Sequence, residues 1–318
     1  MTHTETDAIF TDVLVIGAGP AGMTAGLYAA RAGERVIVLE KETPGGQIVL
    51  SPRVDNYPAL PQVSGTELAE RMQEQLEQSG AELKYEEALE VTPEDGGFLV
   101  RTDTACYRCL SVVLAAGARH RALGLAGEEE LTGAGVSFCA VCDGPFYQGR
   151  DVAVIGGGNT ALQDALFLSG ICARVYIVHR RNVFRGDSAL EKELRARDNV
   201  TFRLNAVAEK LQTDGEALTG LTIAHQDTGE RETLPVEAVF EAVGIVPQTA
   251  PFMSLLGLSQ EDYLPAHENG ETALPGLFVA GDCRKKDLRQ LATAVGDGAN
   301  AGTAAAGYAR RRRGETGK

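Results

Sequence analysis

The chain has 318 residues, enough for two domains or for one domain inserted in another. Its formal charge of −14 argues against a nucleic-acid surface, because phosphate binding needs clustered Lys and Arg. No segment reaches the ~18 apolar residues that span a bilayer, and the polar, acidic stretch Met1–Asp12 does not read as a signal peptide. The cytoplasm is therefore expected, and there the six cysteines are not a disulfide framework.

In chain order, Asp12–Ile16 reads as a buried parallel strand. Gly17–Ala18–Gly19–Pro20–Ala21–Gly22 then opens a helix through Arg31, and a second strand, Arg35–Leu39, ends on Glu40. This is a βαβ unit with Gly-x-Gly-x-x-Gly spacing in the required context. Gly45–Gly46–Gln47 is either a plain turn or a flavin contact. Cys106 and Cys109 lie on an alternating strand, where positions three apart point to opposite faces. Ser111–Gly117 reads as a strand closing the first unit.

The pattern returns about 139 residues after the first strand, at Asp151. A strand, Asp151–Ile155, leads into Gly156–Gly157–Gly158–Asn159–Thr160–Ala161 and a helix to about Ser169. The next strand, Arg174–Val178, ends in His179–Arg180–Arg181, with Arg185 beyond. One glycine motif is weak evidence, but two copies in βαβ context indicate two dinucleotide-binding domains. Gly276–Asp282 is again a strand ending in glycine and an acid, followed by an Ala-rich helix from about Leu288 to Arg310. That strand would complete the first domain from the C-terminal side. The expected architecture is α/β, with an NADPH domain (121–248) inserted into a FAD domain (1–120 and 249–318).

The two units differ in chemistry. Glu40 can accept hydrogen bonds from ribose hydroxyls and would repel a 2′-phosphate, which suits FAD or NAD. Arg180, Arg181 and Arg185 can grip a phosphate with planar forks, which suits NADP(H); the alternative is a solvated basic loop. Asp282 either caps the following helix or meets a ligand at the carboxyl edge of the sheet.

Phe138–Cys139–Ala140–Val141–Cys142–Asp143–Gly144 carries the chemistry. A Cys-x-x-Cys spacing closes a small disulfide ring, and one thiolate can attack an outside disulfide while the other resolves the mixed intermediate. Asp143 can move a proton to or from a leaving thiolate. A zinc half-site would need two further ligands, and no metal is expected. Two plain core cysteines are the remaining rival. Cys172 and Cys283 read as structural.

Taken together, these motifs resemble the low-molecular-weight thioredoxin reductases of bacteria and archaea. The resemblance runs through Gly17–Gly22, Gly45–Gln47, Asp55–Pro58, Ala115–Ala118, Cys139–Gly144, Gly156–Ala161, His179–Arg185, Gly281–Asp282 and Arg289–Gln290. It implies a homodimer that reduces thioredoxin with electrons from NADPH through FAD and the Cys139–Cys142 disulfide. Cys142 would be the flavin-side thiol, Cys139 the thiol that attacks the partner, and Asp143 the acid–base residue. FAD would be held by Gly17, Gly19, Pro20, Ala21, Glu40, Lys41, Gly46, Gln47, Asn56, Ala116, Gly117, Asp282, Arg289, Gln290 and Leu291. NADPH would be held by Gly158, Asn159, Thr160, His179, Arg180, Arg181 and Arg185. The sequence departs from many relatives at Ala116, where Thr is common, and at Ala59, where Gly often follows Asn-Tyr-Pro. Alternatives are a related reductase with another disulfide acceptor, an electron-passing flavoprotein without cysteine chemistry, and a redox-sensing flavoprotein without turnover. A rotation of the inserted domain about its two linkers is expected, because flavin, nicotinamide and protein partner must be met in turn.

Overall fold

Strands that must be buried on both faces carry continuous Val, Ile and Leu, and here those runs become the centres of two parallel sheets. The computed structural model describes residues 8–51, 53–215, 217–258 and 263–316, so most of the N-terminal stretch read above lies outside it. In chain order the elements begin with β1 (Ile9–Ile16), α1 (Pro20–Arg31), β2 (Val36–Glu40), α2 (Gly65–Gln78) and β3 (Glu82–Tyr85). Next come β4 (Ala88–Glu94), β5 (Gly97–Thr102), β6 (Cys106–Leu114), β7 (Ala118–His120), α3 (Glu128–Leu131), β8 (Val136–Ser137) and α4 (Ala140–Asp143). The middle of the chain holds β9 (Asp151–Gly156), α5 (Asn159–Ser169), β10 (Arg174–His179), α6 (Ser188–Arg195) and β11 (Val200–Leu204). The last elements are β12 (Ala206–Thr213), β13 (Leu218–His225), β14 (Arg231–Leu234), β15 (Ala238–Ala242), β16 (Ile245–Pro247), α7 (Met253–Leu256), β17 (Leu277–Val279) and α8 (Leu291–Thr316).

The chain divides into two compact units, one running to Arg119 and resuming at Val246, the other His120–Ile245. In the first, the sheet order is β3-β2-β1-β6-β5-β4, and β17 also pairs with β6. The first part of β6 runs antiparallel to β5, and Val112–Leu114 run parallel to β17. The closing strand stops at Leu114 rather than Gly117, because Gly117 turns to φ 69°. Cys106 and Cys109 are both buried, since β6 is covered on both faces; the opposite-face pattern does not expose either.

Two helices cover one face at backbone distance. A Cβ on Gly298 or Gly302 of α8 would lie 2.2 or 2.3 Å from the Ala21 or Ala25 carbonyl oxygen of α1, so only glycine permits this packing. Val13, Val15, Val38, Val113 and Phe278 lie beneath these helices, and Leu14, Ile16, Leu39 and Leu114 fill the other face.

The second unit has a five-stranded parallel sheet, β11-β10-β9-β15-β8, and a three-stranded antiparallel sheet, β12-β13-β14. Val152, Val154, Leu162 and Ile177 fill one face of the parallel sheet, and Ala153, Ile155, Val178 and Val239 the other. Among the described residues no helix is long and apolar enough to cross a membrane.

Candidate active site

In the first unit, the parallel strands β1, β2, β6 and β17 end at one edge, and the candidate residues gather there. Gly22 serves the fold: its Cβ would lie 1.7 Å from the Gly17 carbonyl oxygen. Gly19 does not, since its φ is −71° and a Cβ would meet nothing within 4 Å. Gly19 is also the N-cap of α1 and offers no side-chain cap, with Pro20 following. The first-turn N–H groups of α1 therefore have no side chain to satisfy them.

Around that helix start stand several of the predicted residues. Glu40 accepts the Ala18 N–H at Oε2 (2.8 Å) and the Glu42 N–H at Oε1 (2.9 Å), which orients its carboxylate and leaves lone pairs free. Gly46 lies beside Gly19; its Cβ would sit 3.5 Å from the Gly19 Cα. Gln47 is exposed, and Lys41 is exposed and pairs with Glu87 at 3.3 Å. Ala116 is half-buried after β6. Ala21 packs against Gly281, whose Cβ would be 2.7 Å from the Ala21 Cβ, so Asp282 is anchored beside α1. Burial raises the Asp282 carboxyl, and the Lys286 ammonium, 3.4 Å from its buried Oδ1, opposes that. Lys286 is held in turn by Asp297 at 3.0 Å, which also binds Arg284 at 2.8 Å. Arg289 donates to the Asp282 carbonyl at 3.3 Å and stacks on Tyr263, and Asn56 donates to Gln290 at 3.0 Å. Leu291 opens α8 and packs against the small cluster of Val54, Val63 and Leu68.

The second unit repeats the device. Gly158 caps α5 without a side chain, and a Cβ there would meet nothing within 4 Å. Gly157 is needed by the fold, because its Cβ would fall 2.1 Å from the His179 ring. That ring is buried, stacks on Phe184 at 5.2 Å, and lies with Nε2 3.3 Å from the Val183 carbonyl. The structure thus makes His179 a wall under the turn rather than an open phosphate contact. Burial lowers the His179 pKa, the contact with the Val183 carbonyl opposes that, and the charges of Arg180, Arg181 and Arg185 lower it further. All three arginines are exposed, as are Asn159 and Thr160. The Arg185 N–H donates to the Gly157 carbonyl at 2.8 Å, and Asn159 Oδ1 accepts the Asp187 N–H at 2.7 Å, tying this loop to the glycine turn.

In the same unit Cys139 and Cys142 form a disulfide, with S–S 2.11 Å and Cα–Cα 5.3 Å. The single turn of α4 sets this spacing: the N–H groups of Cys142 and Asp143 both donate to the Cys139 carbonyl, at 3.2 and 3.0 Å. Ser137, fixed by the β8–β15 register opposite Phe240, donates its hydroxyl to Asp143 Oδ2 at 2.6 Å and accepts the Cys139 N–H at 3.1 Å. Asp143 Oδ1 is buried with no hydrogen-bond partner. Burial raises the Asp143 carboxyl, and the Ser137 bond opposes the rise. Val141 and Phe146 are exposed at the pair, and Phe138 stacks on His120 at 5.0 Å. Among the described residues no group of three or more His, Cys, Asp or Glu is arranged to hold a metal ion.

Five residues of this architecture lay outside the predicted set. Ser137 stood two residues before Cys139 and was visible there. Lys286 and Asp297 carried no pattern. Glu128 and Glu241, 113 positions apart, are both buried and both accept the Leu123 N–H, at 3.0 and 3.3 Å. Burial first, and then Glu128, raises the Glu241 carboxyl to about 8.

Comparison with known proteins places these features in a family. The pyridine nucleotide-disulphide oxidoreductase family matches residues 11–298. The thioredoxin reductase of Listeria monocytogenes is 41% identical over 297 residues, 93% of each chain. That of Bacillus subtilis is 37% identical over 90% of this chain and 91% of its own. Among solved structures, thioredoxin reductase from Streptococcus pyogenes superposes with a TM-score of 0.91 at 38% identity, covering 96% of this chain and all of its own. The Giardia duodenalis enzyme gives 0.86 at 32% identity, over 94% of this chain and 99% of its own.

Proposed function

Because the chain belongs to the pyridine nucleotide-disulphide oxidoreductase family, we propose that it is a thioredoxin-disulfide reductase using NADPH and FAD. The observation that carries this reading is the Cys139–Cys142 disulfide, set beside a buried acid in a unit that also holds an uncapped glycine turn tied by a backbone hydrogen bond to Arg185. Relatives named thioredoxin reductase support the choice of acceptor.

The residues present fit both cofactors. Gly19 and Gly158 stand over open space that no protein atom fills, each at an uncapped helix start, as a pyrophosphate needs. In the first unit α1 and Gly46 would face FAD phosphates, Glu40 the adenosine ribose, and Asp282, Gln290 and Asn56 the remaining polar groups. In the second unit α5 would face the NADPH pyrophosphate, and Arg180, Arg181 and Arg185 its 2′-phosphate. FAD, when bound, supplies the step between hydride and thiol chemistry.

The chain's own residues do the rest. Two electrons break the Cys139–Cys142 bond and leave two sulfurs that compete for protons. Asp143 holds a proton at its buried Oδ1 and exchanges it with the Cys142 sulfur. The Cys139 thiolate attacks the partner's disulfide, freeing one partner thiol, and Cys142 then attacks the Cys139 sulfur of the mixed disulfide, which re-forms the Cys139–Cys142 bond and frees the second partner thiol. Val141 and Phe146 give the partner an apolar surface beside the pair. The reading extends to a cytoplasmic homodimer; light scattering on the purified protein checks the dimer.

The test is an anaerobic titration of the purified protein with NADPH and with NADH, followed by oxidised thioredoxin. Bleaching of a yellow flavin by NADPH in preference to NADH, and its return on adding thioredoxin, is expected. A protein that reduces small disulfides but not thioredoxin would exclude this acceptor.

A further inference from the structure

We propose that Ser137 is a positioning residue of the redox site, which selects Oδ1 of Asp143 as the proton-carrying atom and ties that acid to the Cys139 end of the disulfide. The inference rests on the reading of Asp143 as the acid–base residue.

Four observations support it. Ser137 Oγ stands between the two groups, donating to Asp143 Oδ2 at 2.6 Å while accepting the Cys139 N–H at 3.1 Å. The hydroxyl's short contact is to Oδ2, and its other acceptor, the Cys139 carbonyl, lies farther off at 3.4 Å. The other oxygen, Oδ1, is buried and has no hydrogen-bond partner, so it is the oxygen free to take up or release a proton. Ser137 cannot drift, because it is buried in β8 and registered against Phe240 of β15. Its side chain is also the only polar side chain hydrogen-bonded to Asp143 among the described contacts.

A donor to a carboxylate stabilises the ionised form. Burial raises the acid's pKa, and the Ser137 hydrogen bond holds it down against that rise. Tyr147 follows α4 and is itself raised by burial and by Asp143. Asp164, the titratable residue of α5, is raised to about 7 by burial, and Glu241 of β15 to about 8. The disulfide does not titrate.

The experiment follows the Asp143 carboxyl by ¹³C NMR in oxidised full-length protein, with the resonance assigned by its loss in Asp143→Asn. Ser137→Ala is expected to move the Asp143 midpoint upward by about one pH unit, the size of one hydrogen bond to a charged group. Ser137→Thr, which keeps the hydroxyl, is expected to restore it. The pH midpoint of thioredoxin reduction should move with the carboxyl. An unmoved midpoint in Ser137→Ala, or a Thr variant that titrates like Ala, would overturn the role of Ser137. Undiminished turnover in Asp143→Asn would instead sink the acid–base reading beneath it.

Discussion

Alanine at Gly22 and at Gly19 should fail in different ways, and the structure gives the size of each effect. At Gly22 the new Cβ would lie 1.7 Å from the Gly17 carbonyl oxygen and 2.9 Å from the carbon, both backbone atoms. A carbon–oxygen contact needs about 3.3 Å, so α1 or the turn must move by on the order of 1.5 Å. Overpacking of this kind costs about 3 kcal/mol, which lowers Tm by roughly 6–12 °C. At Gly19 the backbone is already one that alanine adopts and the space is open. There the weaker N-cap, about 0.5 kcal/mol, is offset by reduced freedom of the unfolded chain. The apoprotein should melt within about 2 °C of wild type. The methyl would instead stand where the pyrophosphate approaches, and losing one charge-assisted hydrogen bond weakens FAD binding by roughly 10- to 150-fold. Thermal melting of the apoproteins and titration with FAD, followed by flavin fluorescence, measure both quantities. A Gly19→Ala protein that binds FAD like wild type would refute the argument that this glycine is kept for a ligand.

Other outcomes follow from the same geometry. Arg180→Gln and Arg181→Gln should each raise the KM for NADPH by roughly 10-fold and leave that for NADH unchanged, since each removes one guanidinium–phosphate contact. Cys139→Ser should still allow NADPH to bleach the flavin but reduce turnover with thioredoxin to background, read as NADPH oxidation. Ala59 sits at φ 70°, a backbone conformation that favours glycine; Ala59→Gly should add about 1 kcal/mol and raise Tm by roughly 2–4 °C. Glu241 is raised from 4.5 to about 8 on folding, so the folded state binds more protons across that window. Its contribution to stability is present below the unfolded pKa and is lost as pH rises toward 8. Glu241→Gln should remove this slope, so that the variant gains on wild type by on the order of a few kcal/mol between pH 5 and 8 in denaturant melts.

How much was legible depended on how far apart the interacting residues lie. The two glycine turns, Glu40 and Arg180–Arg181 at their strand ends, and the Cys139–Cys142 pair were all visible, because each motif is written within some thirty residues of continuous chain. Local spacing dictates strand, turn and helix start, and a one-turn helix suffices to bring two cysteines into bonding distance. The burial of His179 was not visible, since it needs Gly157 to lie against β10 and Phe184 to fold over the ring. Nor was the left-handed backbone at Ala59, where an ordinary side chain hides the turn. Asp297 reaches Lys286 and Arg284 only because α8 returns to the end of β17, and Glu128 meets Glu241 only where both carboxylates converge on the Leu123 N–H. The sequence by itself determined two glycine turns between strand and helix, one with an acidic and one with a basic strand end beyond it, and one disulfide-forming pair. The tertiary structure alone decided which glycines face open space, which charges are buried together, and that Ser137 stands between Asp143 and Cys139. Those facts depend on sheet register and desolvation, which no local pattern encodes.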